Sequence, residues 1–314
     1  MLYQPTTNEQ FFSTWLKSVE WYDNTALNAF MKCREFYRLR REEHLEVSGL
    51  PDYMKFGSVM HHSTDVYYDP ELYHTVSEKE RRVRAFEAYE KKYWQLFADD
   101  ETVKKNYEYE HGLVILNKFC KTHLPDDQNW EPIASEFGLI FKIYPMEKGE
   151  DFEDFYILGA ADRIWRRKNT SDIYLGEMKT IGSGAEAELL KVKRSRQIRT
   201  YIWGLREIGL HGVVGVIPDI VTTVLTENLI KCLRDYYIVS PASLKQWRRD
   251  TIRIVQNIRE MKRTGDYYRN PEMCTIRGTC GMYKLCWEGN RDYLIVNNNP
   301  WHPFREDVKE DEDA

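Results

Sequence analysis

The chain has 314 residues, 45 Lys and Arg against 50 Asp and Glu, a net charge of -5 and a hydrophobic fraction of 42%. That fraction is enough for a folded core and excludes a chain disordered throughout, while no run approaches the roughly 18 uninterrupted apolar residues of a membrane span. The opening residues, Met1 to Asn8, lack the charged and apolar regions of a signal peptide, so the expectation is a soluble, cytoplasmic protein that makes no membrane contact. In a reducing compartment its six cysteines are expected to be ligands, nucleophiles or small core residues rather than disulfides.

In chain order, residues 1–125 read as helical. Apolar residues recur at helical spacing in Trp15, Val19 and Tyr22 and again in Leu27, Phe30, Phe36 and Tyr37, and later helices are predicted over 57–69, 78–97 and 101–121, separated by Pro51, Pro70 and Pro125. From about Glu131 the period changes to short runs rich in β-branched and aromatic residues, which predict three consecutive strands ending near Thr180. A helix over 185–208, a strand over 212–225, another near 236–239 and a long helix over 243–263 follow. This is a mixed α/β chain, divided into a helical region (1–125), a sheet-bearing core (126–242), a C-terminal helix with a cysteine-bearing segment (243–295) and a tail (296–314). From Glu306 to Ala314 there are six acidic residues and one Lys, which carry the whole net charge. Such a run has no apolar area to offset ordering entropy, so disorder is expected, and its removal should leave the fold intact.

Asp162, Glu177 and Lys179 stand out on chemistry alone. The strands that carry them are joined by the turn-prone stretch Arg167-Lys-Asn-Thr-Ser-Asp172, centred between Asn169 and Thr170. An antiparallel hairpin closed there pairs positions whose numbers sum to 339, which sets Asp162 opposite Glu177 with Cβ atoms about 5 Å apart. Lys179 shares their face, because side chains alternate along a strand. Two close carboxylates beside an ammonium suit Mg²⁺ or Mn²⁺, which prefer oxygen ligands; the competing reading is a solvated cross-strand ion network. Asp162 lies in an apolar strand, where an unpaired carboxylate is costly.

The patterns Gly-Ala-Ala-Asp162-Arg-Ile and Gly-Glu177-Met-Lys179-Thr resemble those of the PD-(D/E)XK nuclease superfamily, and within it the RecB-like exonuclease branch that includes CRISPR-associated and phage-encoded members. Gly57-Ser-Val-Met-His61 resembles the Gly-x-x-x-His motif of that branch, and Gln197-Ile-Arg-Thr-Tyr201 its Gln-x-x-x-Tyr motif. Cys274, Cys280 and Cys286 follow a C-x5-C-x5-C spacing, and Cys33 lies far upstream in a Leu27-x-x-Phe30-x-x-Cys33-x-x-Phe36-Tyr37 context. On spacing alone these thiols suit zinc and an iron-sulfur cluster equally. The resemblance favours a 4Fe-4S cluster held by all four, although the five-residue first gap departs from the two residues common in that branch. Cys120 and Cys232 fit no ligand spacing and are expected in the core.

The resemblance implies a restriction-endonuclease-like central mixed sheet flanked by helices and metal-dependent hydrolysis of DNA, as an exonuclease acting on single strands or ends. It implies metal ligation by His61, Asp162, Glu177 and the backbone carbonyl of Met178, with Lys179, Gln197 and Tyr201 completing the catalytic set; Glu136 is a weaker candidate for a further acidic contact. Lys191, Lys193, Arg194, Arg196 and Arg199 form a basic run on the helix after the Lys179 strand and are expected to meet DNA phosphates. No P-loop is present, so any unwinding would fall to a helicase or recombination partner. The alternative is a non-catalytic DNA-binding or assembly subunit of a recombination or CRISPR-adaptation complex that keeps this fold.

Overall fold

The computed structural model describes residues 9–97, 103–125, 128–146, 149–275 and 279–297. Of the tail predicted over 296–314, Val296 ends a short strand and the Asn297 N–H donates to the His44 carbonyl, which corrects that boundary; the acidic run from Glu306 lies outside the described residues. The described residues divide into two compact units, one drawn from 1–49, 138–159 and 245–314, the other from 50–137 and 160–244.

The first unit begins with α1 (Glu9–Ser18), β1 (Trp21–Asp23), α2 (Asn24–Lys32), α3 (Arg34–Arg41) and β2 (Leu45–Val47). The expectation of helix alone is corrected here by two short strands. Trp21 and Tyr22 have strand-favouring aromatic side chains, and Asp23 caps α2 by accepting the Ala26 N–H at 2.6 Å, so the helix cannot start earlier. Trp21 to Asp23 run parallel to Tyr156 to Leu158, at the start of β4 (Phe155–Arg167). Towards the C-terminus, α10 (Pro241–Thr264) leads to a 3₁₀ turn at Pro271–Cys274, α11 (Tyr283–Glu288) and β9 (Leu294–Val296), which pairs antiparallel with β2. Leu39, Leu45 and Met282 form a small core, with Phe36, Cys280, Leu285 and Cys286 packed against it.

The second unit holds α4 (Asp52–Tyr67), α5 (Pro70–Thr75), α6 (Glu78–Phe97) and α7 (Tyr109–His123). The predicted 57–69 helix starts earlier, at the Pro51 cap, and its 101–121 neighbour starts later, after a 3₁₀ turn at Lys105–Tyr107. Ala85, Tyr89, Tyr93 and Phe97 recur every four residues along α6 and are buried with Ile115, Leu116, Phe119 and Cys120 of α7. A Cβ on Gly112 would fall 1.7 Å from the Tyr89 hydroxyl, which is why the two helices need glycine there.

These helices cover a mixed sheet. β3 (Trp130–Ile143) pairs with β4, β4 is antiparallel to β5 (Ile173–Ile181), and β5 is parallel to β6 (Val213–Thr222). β7 (Cys232–Arg234) and β8 (Tyr237–Ile238) pair antiparallel with β6. β7 is a strand that sequence reasoning did not separate. The predicted helix over 185–208 is two helices, α8 (Ala185–Arg194) and α9 (Arg196–Glu207). Ser195 breaks it: with φ -62° and ψ 138° it is extended, and its hydroxyl accepts the Gln197 N–H at 3.1 Å to start a new helix. Arg194 therefore ends one helix, while Gln197 and Tyr201 stand on the next.

Candidate active site

The β4–β5 ladder pairs Arg163 with Gly176, Ile164 with Leu175 and Trp165 with Tyr174, the register in which residue numbers sum to 339. One step past its last pair, the Asp162 carboxylate accepts the Met178 N–H at 2.8 Å. Glu177 is 2% exposed, and Lys179 Nζ lies 2.5 Å from its Oε1. Gly57 lets α4 approach closely: a Cβ there would lie 3.1 Å from Thr180 Oγ1 on β5. One turn further along α4, His61 Nδ1 is 3.7 Å from Asp162 Oδ2, and the ring also makes a hydrogen bond to the Met178 backbone. Gln197 Nε2, in the first turn of α9, reaches Glu177 Oε2 and the Tyr201 hydroxyl, each at 3.4 Å. Six sequence-predicted residues thus meet at one place: His61, Asp162, Glu177, Lys179, Gln197 and Tyr201.

The electrostatics follow from burial beside like charge. Burial pushes the Glu177 carboxyl up to about 7, with Asp162 adding to the shift and Lys179 opposing it. Burial disfavours the Lys179 ammonium, but Glu177 and Asp162 outweigh it and raise its pKa. Burial lowers the His61 pKa and keeps the ring neutral, as a metal ligand must be. Burial also raises Tyr201, helped by Glu177 and Asp162.

A pH dependence follows. The folded chain holds the Glu177 proton more tightly than the unfolded chain, whose carboxyl has the ordinary value of 4.5. The stability contributed by this proton is full below 4.5 and is lost as pH rises through about 7. Glu177→Gln mimics the protonated acid, so the metal-free variant should gain on the wild type between pH 5 and pH 8, by on the order of 3 kcal/mol. Thermal melts in a metal chelator across that range check this; parallel profiles for the two proteins would refute it.

The basic residues after β5 are less uniform than their sequence suggests. Lys191 and Arg194 are exposed, with Lys191 paired to Glu188. Lys193 sits 3.4 Å from the Tyr237 ring centroid and 3.5 Å from Asp235. Arg196 is half-buried. Arg199 donates to the Ser243 hydroxyl at 2.6 Å and to the carbonyls of Lys193 and Ser195, so it ties the α8–α9 break together. Glu136 is exposed on β3 with a φ of +43°, a left-handed conformation that is uncommon for a non-glycine residue.

Several residues near the site went unnoticed in the sequence. Arg163 is 1% exposed and contacts Asp65 and Thr64 of α4 and Asp219 of β6, while Arg234 of β7 pairs with Asp219 at 2.6 Å. The signal was available: Asp219 stands in the apolar run Val216-Ile-Pro-Asp219-Ile-Val, where a carboxylate needs a buried partner just as Asp162 does.

In the first unit, Cys33, Cys274, Cys280 and Cys286 all line one cavity of about 450 Å³, with Phe36, Tyr283 and Trp287 on its wall. All four thiols are free, the Asn270 N–H donates to Cys33 Sγ at 3.4 Å, and the Cys280 N–H donates to the Cys274 carbonyl at 2.7 Å. Burial raises the Cys280 thiol, and pushes Cys286 up to about 11. Cys120 and Cys232 are buried in the second unit's core. Among the described residues, no three His, Cys, Asp or Glu side chains are already gathered as a metal cage, at either place. No helix among them is long and apolar enough to cross a membrane.

The family model of the PD-(D/E)XK nuclease superfamily matches residues 24–286. A candidate exonuclease from Eubacterium rectale superposes with a TM-score of 0.52 over 95% of this chain and 97% of its own, at 13% identity, which speaks for the fold. SSO0001 is 20% identical over 63% of this chain and 87% of its own, with a TM-score of 0.28 that carries no argument. No curated protein is significantly similar to the chain.

Proposed function

Because the chain belongs to the PD-(D/E)XK nuclease superfamily, we propose that it hydrolyses phosphodiester bonds in DNA with Mg²⁺ or Mn²⁺, as a RecB-like exonuclease acting on single strands or ends. The observation that carries this reading is the meeting of Asp162, Glu177, Lys179 and His61, two carboxylates, an ammonium and a neutral imidazole drawn from three elements. Two carboxylates set face to face across a hairpin beside an ammonium speak for a metal site over a scaffold without catalysis, because like charges so close repel unless a cation lies between them.

The donor set fits a divalent cation. Asp162 and Glu177 supply oxygens, His61 a nitrogen, and the Met178 carbonyl a further oxygen beside them, and the charge strain on Glu177 is of the kind that a bound cation relieves. When bound, such an ion polarises the scissile phosphate and lowers the pKa of water. Lys179 is half exposed and stands where it can turn from Glu177 towards a phosphate oxygen and stabilise developing charge. Gln197 holds the far oxygen of Glu177 and is itself oriented by Tyr201. Lys191 and Arg194, exposed at the end of α8, would neutralise backbone phosphates, with Lys193, Arg196 and Arg199 supporting that end.

Cys33, Cys274, Cys280 and Cys286 are read as ligands of a 4Fe-4S cluster. The support is chemical: four free thiols line one cavity, and metal binding would draw the protons that burial holds on Cys280 and Cys286. The role of such a cluster would be to fasten the C-terminal segment to α2 and α3.

End-labelled single- and double-stranded DNA incubated with the purified chain in Mn²⁺ tests the nuclease reading. The wild type should shorten the label progressively, and Asp162→Ala should not. Equal degradation by the two proteins would remove the metal site from the mechanism.

A further inference from the structure

We infer that Arg163 is a positioning residue: with Thr64 and Asp65 it sets where His61 stands relative to Asp162. The inference rests on the metal-site reading above. Strand alternation sends Asp162 and Arg163 to opposite faces of the sheet, yet both of these consecutive β4 residues reach the same helix, one turn apart. Along α4, His61 lies three and four residues before Thr64 and Asp65, which places all three on one face. Asp162 meets that face at His61, at 3.7 Å. Arg163 meets it one turn later, donating from Nε to Asp65 Oδ1 at 3.1 Å and from Nη2 to Thr64 Oγ1 at 2.5 Å.

Thr64 completes the link. Its hydroxyl oxygen lies 3.0 Å from the carbonyl of His61 itself, 3.0 Å from that of Met60, and 3.1 Å from the sulfur of Met178. Met178 in turn donates its N–H to Asp162. The far side of Arg163 is fixed by Asp219 at 3.4 Å, and Asp219 is held by Arg234 at 2.6 Å. Arg163, Thr64 and Asp219 are all at most 1% exposed, so the clamp is braced in the core and cannot relax into solvent. A ligand set whose members come from α4, β4 and β5 needs such a brace, because nothing local in the sequence couples the helix to the strands.

A double-mutant cycle read by Mn²⁺ binding to the full chain, using calorimetry or the electron paramagnetic resonance of the free ion, tests this without recourse to activity. Asp65→Asn and Thr64→Val should each weaken Mn²⁺ binding by about 10- to 100-fold, the range typical of outer-shell partners. In a His61→Ala background neither should weaken it further, because the side chain they position is gone. Equal weakening in both backgrounds, or none in the wild-type background, overturns the positioning role. Thr64→Val is nearly isosteric and keeps every charge, so it carries the cycle if Asp65→Asn fails to fold. A wild-type chain that binds no Mn²⁺ overturns the metal reading and this inference with it, whereas binding that ignores Thr64 and Asp65 overturns the inference alone.

Discussion

Lys179→Met is expected to lower the single-turnover rate of DNA cleavage by about 10³-fold while leaving Mn²⁺ binding at least as tight as in the wild type. The two halves of that expectation have one origin. In the free protein the Lys179 ammonium rests 2.5 Å from Glu177 Oε1 and partly neutralises it. Removing the ammonium frees the carboxylate for a cation, so affinity for the ion should not fall. The same ammonium is half exposed and can leave Glu177 for a phosphate oxygen, and that interaction exists only when substrate charge develops. Met keeps the length of the stem and removes only the charge. Lys179→Arg should not rescue the rate, because a planar guanidinium needs a wider site than the compact ammonium beside Glu177. A rate for Lys179→Met within fivefold of the wild type, with the protein folded and substrate bound, would remove Lys179 from the chemistry.

Cys33→Ser should abolish the visible absorbance, iron and acid-labile sulfide of anaerobically purified protein and lower the melting temperature by on the order of 10 °C. Cys33 stands between α2 and α3, far in sequence from the other three thiols that line the same cavity. A cluster joining them closes a loop of most of the chain, and long closed loops remove the most entropy from the unfolded state. Cys120→Ser alters a buried core residue that lines no such cavity, so it should leave the colour in place. Wild-type protein that is colourless and contains zinc would replace the cluster by a zinc site on the same residues.

Much of the candidate site was legible before any coordinates. The hairpin register could be counted from a symmetric turn, since a period of two and a known turn centre determine which residues face each other. That Asp162 would need a partner followed from the cost of a lone carboxylate in an apolar strand, and the structure shows it half-buried beside the Met178 N–H. The helices α6 and α7 were predicted over 78–97 and 101–121, the second with too early a start, but their buried rings were not named in advance. The break at Ser195 did not, because Lys193-Arg-Ser195-Arg-Gln has good helical propensity on both sides and one hydroxyl accepting the Gln197 N–H decides the matter. The strands β1 and β2 were missed for a related reason. Each has three residues, too few for a period to register, and each exists only because a distant strand is there to pair with it.

The sequence by itself therefore set out the chemistry on offer: which acids face each other across a turn, which ammonium stands two residues from one of them, and which thiols recur at regular spacing. These are properties of residue type and short-range spacing. Only the tertiary structure decided how those groups are held. Arg163 and Asp65 are 98 residues apart, and Lys193 and Arg199 act through a helix break that no periodicity announces. A buried ion pair such as Arg163 with Asp65 is strong and obligatory only in a low-dielectric surrounding, where an unpaired charge is costly, and that surrounding exists only in the folded chain.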